Sequence, residues 1–160
     1  ETVRLHRVWV ESEGVFADAN IIAREAAVVV GVEYWQLDPS VQVHITLHVY
    51  TEQQVIAFTS GSCSDPDWRQ VAQSRGRVHG VCRIPEDFLN TGKHLIKLLV
   101  VENRCRATYA LDNALSFEVV ETAERAAWYG KEPGVLRPRL PWKTLYLGEL
   151  EANAGGTNHE

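Results

Sequence analysis

The stretch VQVHITLHVYTEQQVIAFTS, residues 41–60, decides the fold that we predict for this chain of 160 residues. Its first half alternates between apolar residues at odd positions and polar residues at even positions, and many of the apolar ones are β-branched. This period of two is typical of a β-strand with one buried face and one solvated face. Residues 51–54 then turn the chain, and residues 55–59 return as a partner strand. The stretch therefore predicts a β-hairpin.

Other short segments have the same character and predict an all-β protein. We predict further strands at residues 2–10, 26–36, 78–84, 93–101, 104–111, 114–121 and 140–147. The segment at 2–10 has no purely apolar side, which is common in edge strands. The segment at 26–36 begins almost wholly apolar, which is typical of a central strand. We expect a turn-dense loop at 60–70, one helical turn at 85–90, and the Ile21–Ile22 pair docked on the core. Short strands at near-regular spacing, with almost no helix, indicate a β-sandwich or a barrel. The sandwich is favoured because one strand has the pattern of burial on both faces while its neighbours have one solvated face.

Length and composition set the class of protein. The chain is 45% hydrophobic and 23% charged, as in an ordinary globular protein. We expect one domain over residues 1–150 and a disordered polar tail over 151–160. The net charge of −5 argues against nucleic acid as a partner. No apolar run reaches the roughly 18 residues of a membrane span, so we expect no direct membrane insertion.

The cysteines and the absence of methionine bear on the cellular context. The three cysteines include no CxxC pair, so neither a disulfide framework nor a zinc site is indicated, and a reducing compartment fits best. The sequence contains no Met at all. Because translation starts with Met, we expect the chain to be a piece of a longer protein.

Candidate catalytic and metal-binding residues have simpler explanations. His44 and His48 lie on a strand, where four residues span about 13 Å, so they cannot hold one ion together. Asp65 and Asp67 could touch calcium, but aspartates in a turn are far commoner. The acidic pair at residues 86–87 fits the start of a helical turn. No GxSxG, Walker A, GxGxxG or HExxH motif is present. We predict a non-catalytic domain without metal or cofactor.

The polar side of the first hairpin strand is the best candidate for a binding site. A sugar presents an apolar ring face, which aromatic rings can cover, and an edge of hydroxyls, to which polar side chains can hydrogen-bond. The candidate carbohydrate-binding residues are Gln42, His44, Thr46, His48 and Tyr50, with Lys97 on the strand expected alongside. His79 and Arg83 are expected on the other sheet. An ordinary solvated strand face is the alternative, and the residues alone leave both interpretations open.

Three segments of the second half occur in a characteristic order. They are GVCRIPEDFLNTGKHLIKLLV from Gly80, DNALSFEV at 112–119, and WYGKEPGVLRPRLPW at 128–142. This order resembles the C-terminal domain appended to the nucleotide-binding subunit of ABC transporters that export O-antigen and related polysaccharides, the Wzt type. The ending at residues 133–142 is the most specific part, and the resemblance extends over about residues 3–147.

The resemblance implies an immunoglobulin-like β-sandwich that binds a bacterial polysaccharide, often at its non-reducing end, and selects it for export. It implies a cytoplasmic location at the inner face of the bacterial inner membrane. The missing N-terminal part would be an ABC ATPase, and the full-length protein would contact the transmembrane subunit of the transporter. Such domains form homodimers that can exchange the final strand, and residues 140–147 follow a Gly- and Pro-rich segment suited to exchange.

The family's binding residues vary with the cargo, so no site residue can be transferred from the resemblance. Two other functions remain open at this point. One is a structural module that dimerises the ATPase subunits without touching glycan. The other is an accessory domain of a glycosidase or another enzyme.

Overall fold

The computed structural model describes residues 1–13, 20–121 and 131–148, and these ranges form the predicted β-sandwich. The strands are β1 (Val3–Glu13), β2 (Ile21–Ala23), β3 (Ala27–Gln36), β4 (Val43–Thr51), β5 (Ile56–Gly61), β6 (Gly76–Ile84), β7 (Gly92–Glu102) and β8 (Arg106–Val120). A 3-10 turn (Ser62–Ser64) and a short helix, α1 (Trp68–Ala72), separate β5 from β6. Strand structure therefore dominates, as the alternating sequence predicts.

The strands form two sheets that pack face to face. The three-stranded sheet has the order β1-β3-β6, and the five-stranded sheet has the order β2-β8-β7-β4-β5. All neighbours are antiparallel except β2 and β8. β1 is an edge strand and β3 a central strand, which confirms both predictions.

The core lies between the sheets and is built from alternate residues of each strand. Its largest fully buried side chains include Phe117, Ile22, Ile96 and Leu98. Burial of each such side chain contributes about 1.5–3 kcal/mol to the free energy of folding. Because apolar and polar residues alternate, this energy determines which face of each strand points inward.

The predicted hairpin is present as β4 and β5. The odd-numbered apolar residues of β4 are buried, which confirms the buried face. Two backbone hydrogen bonds close the turn: Thr51 N–H donates to Val55 O at 2.8 Å, and Gln54 N–H donates to Thr51 O at 2.9 Å. Gln54 takes a positive φ of 63°, a conformation that tight turns require.

Several predicted boundaries are wrong, and local geometry explains them. The strands predicted at 104–111 and 114–121 form the single strand β8, which stays paired with β7 across two register shifts. Residues 85–90 form a turn rather than a helical turn, because Asp87 has a φ of 54° that no right-handed helix accepts. The predicted loop at 60–70 contains the start of α1.

The ends of the chain also differ from the predictions. Ile22 is buried as expected, but Ile21 is exposed. Residues 140–147, predicted to be a strand, form no strand within this chain. The tail predicted at 151–160 lies outside the described residues.

Residues 131–139 dock on the turn at 85–90, so the two most characteristic motifs contact each other. Leu89 and Leu136 form an isolated antiparallel bridge. The Asn90 side-chain amide donates to the carbonyls of Glu132 at 2.8 Å and Gly134 at 2.7 Å. Because Asn90 is itself buried, these bonds hold the end of the sandwich together.

An ion-pair network underlies this docking. Arg24 lies 3.1 Å from Asp87 and 3.6 Å from Glu121, and all three side chains are almost wholly buried. Arg137 contacts the same Glu121 at 2.9 Å. The network therefore links β2, the 85–90 turn, the end of β8 and the docked segment.

Candidate functional site

The structure brings most of the predicted residues onto one surface, which we call the five-stranded face. It consists of the outward side chains Thr46, His48 and Tyr50 of β4, Leu95, Lys97 and Leu99 of β7, and Thr59 of β5. In the strand register His48 lies opposite Lys97 on one side and Thr59 on the other. Tyr50 pairs with Leu95, and Thr46 with Leu99. Lys97 therefore extends the β4 row, as predicted.

The polar groups that β4 and β7 contribute to the five-stranded face are half-buried and partly preorganised. The Tyr50 hydroxyl lies 3.5 Å from His48 Nδ1, and their ring centroids are 6.2 Å apart. Lys97 Nζ lies 2.8 Å from Asp112 Oδ1. The hydrogen bond to Asp112 raises the pKa of Lys97, so its ammonium stays charged at neutral pH.

Apolar side chains lie between these polar groups. Leu95 and Leu99 flank Lys97 on β7, and all three are half-buried. The face thus offers hydroxyl, imidazole and ammonium groups beside an aliphatic surface. Such a mixture can bond the hydroxyls of a polyol while covering its C–H face.

His44 does not belong to this surface, and the prediction that it is solvated is wrong. It is only 6% exposed, because α1 places Trp68 over it at a centroid distance of 5.7 Å and 86° between the rings. Trp68 is fixed there by a 2.9 Å hydrogen bond from Nε1 to the Val43 carbonyl. Burial, with a smaller effect of the Arg104 charge, lowers the pKa of His44. His44 therefore packs against the helix and does not contribute to the five-stranded face.

Gln42 is also separated from the rest of the predicted site. It precedes β4, and its backbone exchanges hydrogen bonds with Asn103: the Asn103 N–H donates to Gln42 O at 2.8 Å. Six residues of strand, about 20 Å, divide it from His48. The covered His44 lies between them, so Gln42 extends the site only for a long ligand.

A second polar surface, which the sequence did not predict, lies on the outer side of the three-stranded sheet. His79 and Arg83 lie there, as predicted, on β6. At its centre Glu33 accepts a hydrogen bond from Arg77 and lies 3.1 Å from His79 Nδ1. These contacts, Arg77 first, lower the pKa of Glu33. The surface could not be predicted because β1, β3 and β6 are distant in sequence, and only their pairing brings these residues together.

A cleft of about 440 Å³ opens between the two sheets along one side of the sandwich. It lies between β6, an edge strand of its sheet in the described part of the chain, and the segment from β5 to α1. Its walls combine apolar side chains such as Val30, Leu47, Trp68 and Val78 with polar ones that include Ser62, Asp65 and Arg83. An edge strand beside a partly apolar cleft can accept a further strand.

Neither a metal site nor a spanning helix is found in the ranges that the structure describes. No three His, Cys, Asp or Glu side chains there converge in a way that could hold an ion. None of the helices there has the length and apolar character needed to cross a membrane.

The buried histidines predict a pH dependence of stability. His94 is buried, stacked on Phe117 at 5.3 Å, and burial lowers its pKa below the ordinary 6.5, as it does for His44. Below about pH 6.5 the unfolded chain therefore binds protons that the folded chain does not, and the free energy of unfolding falls until the lowered folded pKa is reached. We expect urea unfolding midpoints to decrease from about pH 7.5 to about pH 5.5. His94→Phe should reduce that slope, and an unchanged slope would contradict this explanation.

Comparison with solved structures shows a similarity to the crystal structure of the C-terminal domain of Wzt. The two share 12% sequence identity and a TM-score of 0.59, over 91% of this chain and 84% of that chain. The resemblance inferred from the sequence motifs is thus confirmed at the level of the fold. No family model and no curated protein sequence matches this chain.

Proposed function

We propose that this domain recognises a bacterial polysaccharide of the O-antigen type, near its non-reducing end, and selects it for export by an ABC transporter. The observation that carries the proposal is a Wzt-like sandwich whose five-stranded face presents His48, Tyr50 and Lys97 in adjacent register positions. Nothing in the proposed role requires bond cleavage, so the domain acts by binding alone.

Recognition at the five-stranded face combines hydrogen bonding with apolar contact. The ammonium of Lys97, the imidazole of His48 and the hydroxyls of Tyr50 and Thr46 would bond sugar hydroxyls. Leu95 lies beside Tyr50 and would cover C–H groups. Because this surface is shallow and stays partly wet, one chain end should bind with micromolar to millimolar affinity, roughly −4 to −8 kcal/mol.

In the cell the domain would work beside the membrane without entering it. We place it in the cytoplasm at the inner face of the inner membrane, joined to an ATPase domain that contacts the transmembrane subunit. Two copies held together would raise the effective affinity for a polymer.

A homodimer formed through the last segment is part of this proposal. The large apolar side chains of residues 140–147 are uncovered in the single chain, with Trp142 91% and Leu147 93% exposed. Exposed apolar residues in such a row mark an interaction site. In the described part of the chain β6 is an edge strand beside the partly apolar cleft, and it can accept this segment from a second copy as an added strand.

The test of glycan recognition is the double variant His48→Ala with Tyr50→Ala. Its dissociation constant for O-polysaccharide purified from the source strain should rise by at least about tenfold, equivalent to about 1.4 kcal/mol. The matched control is Tyr109→Ala, an exposed tyrosine whose cross-strand partner Val100 faces the core. Binding can be measured by isothermal titration calorimetry, with polysaccharide from an unrelated strain as the specificity control.

The outcomes separate the proposed role from the alternatives. Normal binding by the double variant would exclude the five-stranded face as the site. A well-folded dimer that binds no polysaccharide would instead identify a structural module that dimerises the ATPase subunits, which the uncovered final segment also fits. Release of reducing sugar during the titration would identify an enzyme.

A further inference from the structure

The outer side of the three-stranded sheet, which we call the three-stranded face, carries the best-formed aromatic surface among the described residues. It consists of Trp9, Gly31, Glu33, Trp35, Arg77 and His79. In the register Trp9 lies opposite Gly31, and Arg77 lies opposite Trp35. His79 lies opposite Glu33, so the residues form three consecutive rows across the sheet.

Trp9 is held against the sheet because the residue opposite it has no side chain. A Cβ atom built on Gly31 would lie 2.1 Å from Cζ2 of the Trp9 ring, well inside van der Waals contact. The indole therefore occupies the space that any other residue at position 31 would fill. The His79 ring lies 5.3 Å from the Trp9 ring, and the Arg7 guanidinium lies 4.8 Å from its centroid.

Trp35 provides a second indole on the same surface. It is 41% exposed, although a large aromatic residue at the centre of a sheet is usually covered. Four residues of β3 separate it from Gly31, which places the two indoles about 13 Å apart along the sheet. Between them lies Glu33, which accepts from Arg77, lies 3.1 Å from His79 and has His6 at 4.0 Å.

Most of the charged side chains on and around this face are already paired, whereas Arg7 lies over the Trp9 ring. Arg77 pairs with Glu33, Arg4 with Glu1 at 2.7 Å, and Arg83 with both Glu13 and Glu86. A charged polymer would therefore have to compete with existing ion pairs. A neutral, hydroxyl-rich ligand can instead use the remaining donors and acceptors of the paired groups, because guanidinium and carboxylate groups have more bonding positions than one partner fills.

We infer that the three-stranded face is a second saccharide-binding surface, which takes a neutral stretch of the same polysaccharide. Sugar rings pack on Trp9 and Trp35, and Glu33, Arg77 and His79 bond the hydroxyls between them. This inference rests on the proposed function. The two faces lie on opposite outer sides of the sandwich, so one polymer, or two, can engage both and gain from multivalency.

The first experiment compares calorimetric titrations of O-polysaccharide from the source strain into the full chain and its variants. Trp9→Ala combined with Trp35→Ala should weaken binding by about tenfold or more. Tyr109→Ala removes an exposed aromatic ring from outside the face, on β8 of the other sheet, and should leave the affinity unchanged.

A pair of glycine variants tests the same surface without removing an aromatic ring. Gly31→Ala displaces the Trp9 indole and should weaken binding several-fold. Gly80→Ala, on the neighbouring strand, has its nearest contact at 3.9 Å and should bind like the wild type. Circular dichroism spectra of both variants check that the sandwich is intact.

A measurement on the wild-type protein removes any dependence on variants that fold poorly. In titrations of ¹⁵N-labelled protein, the indole N–H signals of Trp9 and Trp35 should shift, whereas that of the buried Trp68 should not. Unshifted signals, or Trp variants that bind normally while His48→Ala/Tyr50→Ala does not, would overturn the second surface and leave the proposed function intact. No binding by the wild type at all would overturn both.

Discussion

Replacing Arg24 with alanine is expected to lower the free energy of unfolding by about 3 kcal/mol, among the largest effects of any single side chain in this domain. Arg24 is only 7% exposed and neutralises Asp87 and Glu121, which are almost as deeply buried. Removing one partner of a buried ion pair leaves an uncompensated charge, which typically costs about 3–5 kcal/mol. We expect the lower end because Arg137 still contacts Glu121 and Arg139 still lies 3.6 Å from Asp87.

Urea unfolding followed by tryptophan fluorescence measures this effect as a shift of the midpoint at constant slope. Arg4→Ala is the matched control, because Arg4 is exposed and pairs only with the exposed Glu1 in the described chain. It should leave the midpoint unchanged. Equal midpoints for the two variants would show that the network around Arg24 does not stabilise the docked segment.

A chain that stops at Arg139 is expected to be monomeric, whereas the 160-residue chain is expected to form a dimer of twice its mass of 18.0 kDa. The removed residues include Trp142, Tyr146 and Leu147, which the single chain leaves uncovered. They contribute nothing to the core between the sheets, so the truncated domain should stay folded. Light scattering coupled to size-exclusion chromatography measures both masses.

The truncation also separates dimer formation from glycan recognition. The monomer should keep its affinity for a short oligosaccharide but lose the gain in affinity for long polysaccharide that two linked sites provide. A dimer that persists after truncation would exclude exchange of the final segment. The control for folding is urea unfolding. The truncated chain should unfold at the same urea midpoint as the longer chain measured at a low protein concentration.

The alternation of apolar and polar residues was enough to predict the sandwich, its first hairpin, one edge strand and one central strand. Residues 41–60 form the expected hairpin, and the segment at 27–36 is central while β1 is an edge. These features follow from the local pattern, because a period of two determines which side of a strand is buried, whichever strand becomes its neighbour. The immunoglobulin-like layout placed Lys97 beside the β4 row, and the structure adds that it lies directly opposite His48.

Other features depend on contacts between segments that are distant in sequence, and only the tertiary structure decided them. His44 alternates with the core residues like His48 does, but α1 covers it with Trp68, twenty-four positions further along the chain. The Trp9, Glu33 and His79 surface exists only because β1, β3 and β6 pair in one register. Period and composition determine which side of each strand is buried, whereas the placement of a covering helix and of a partner strand depends on the packing of the whole chain.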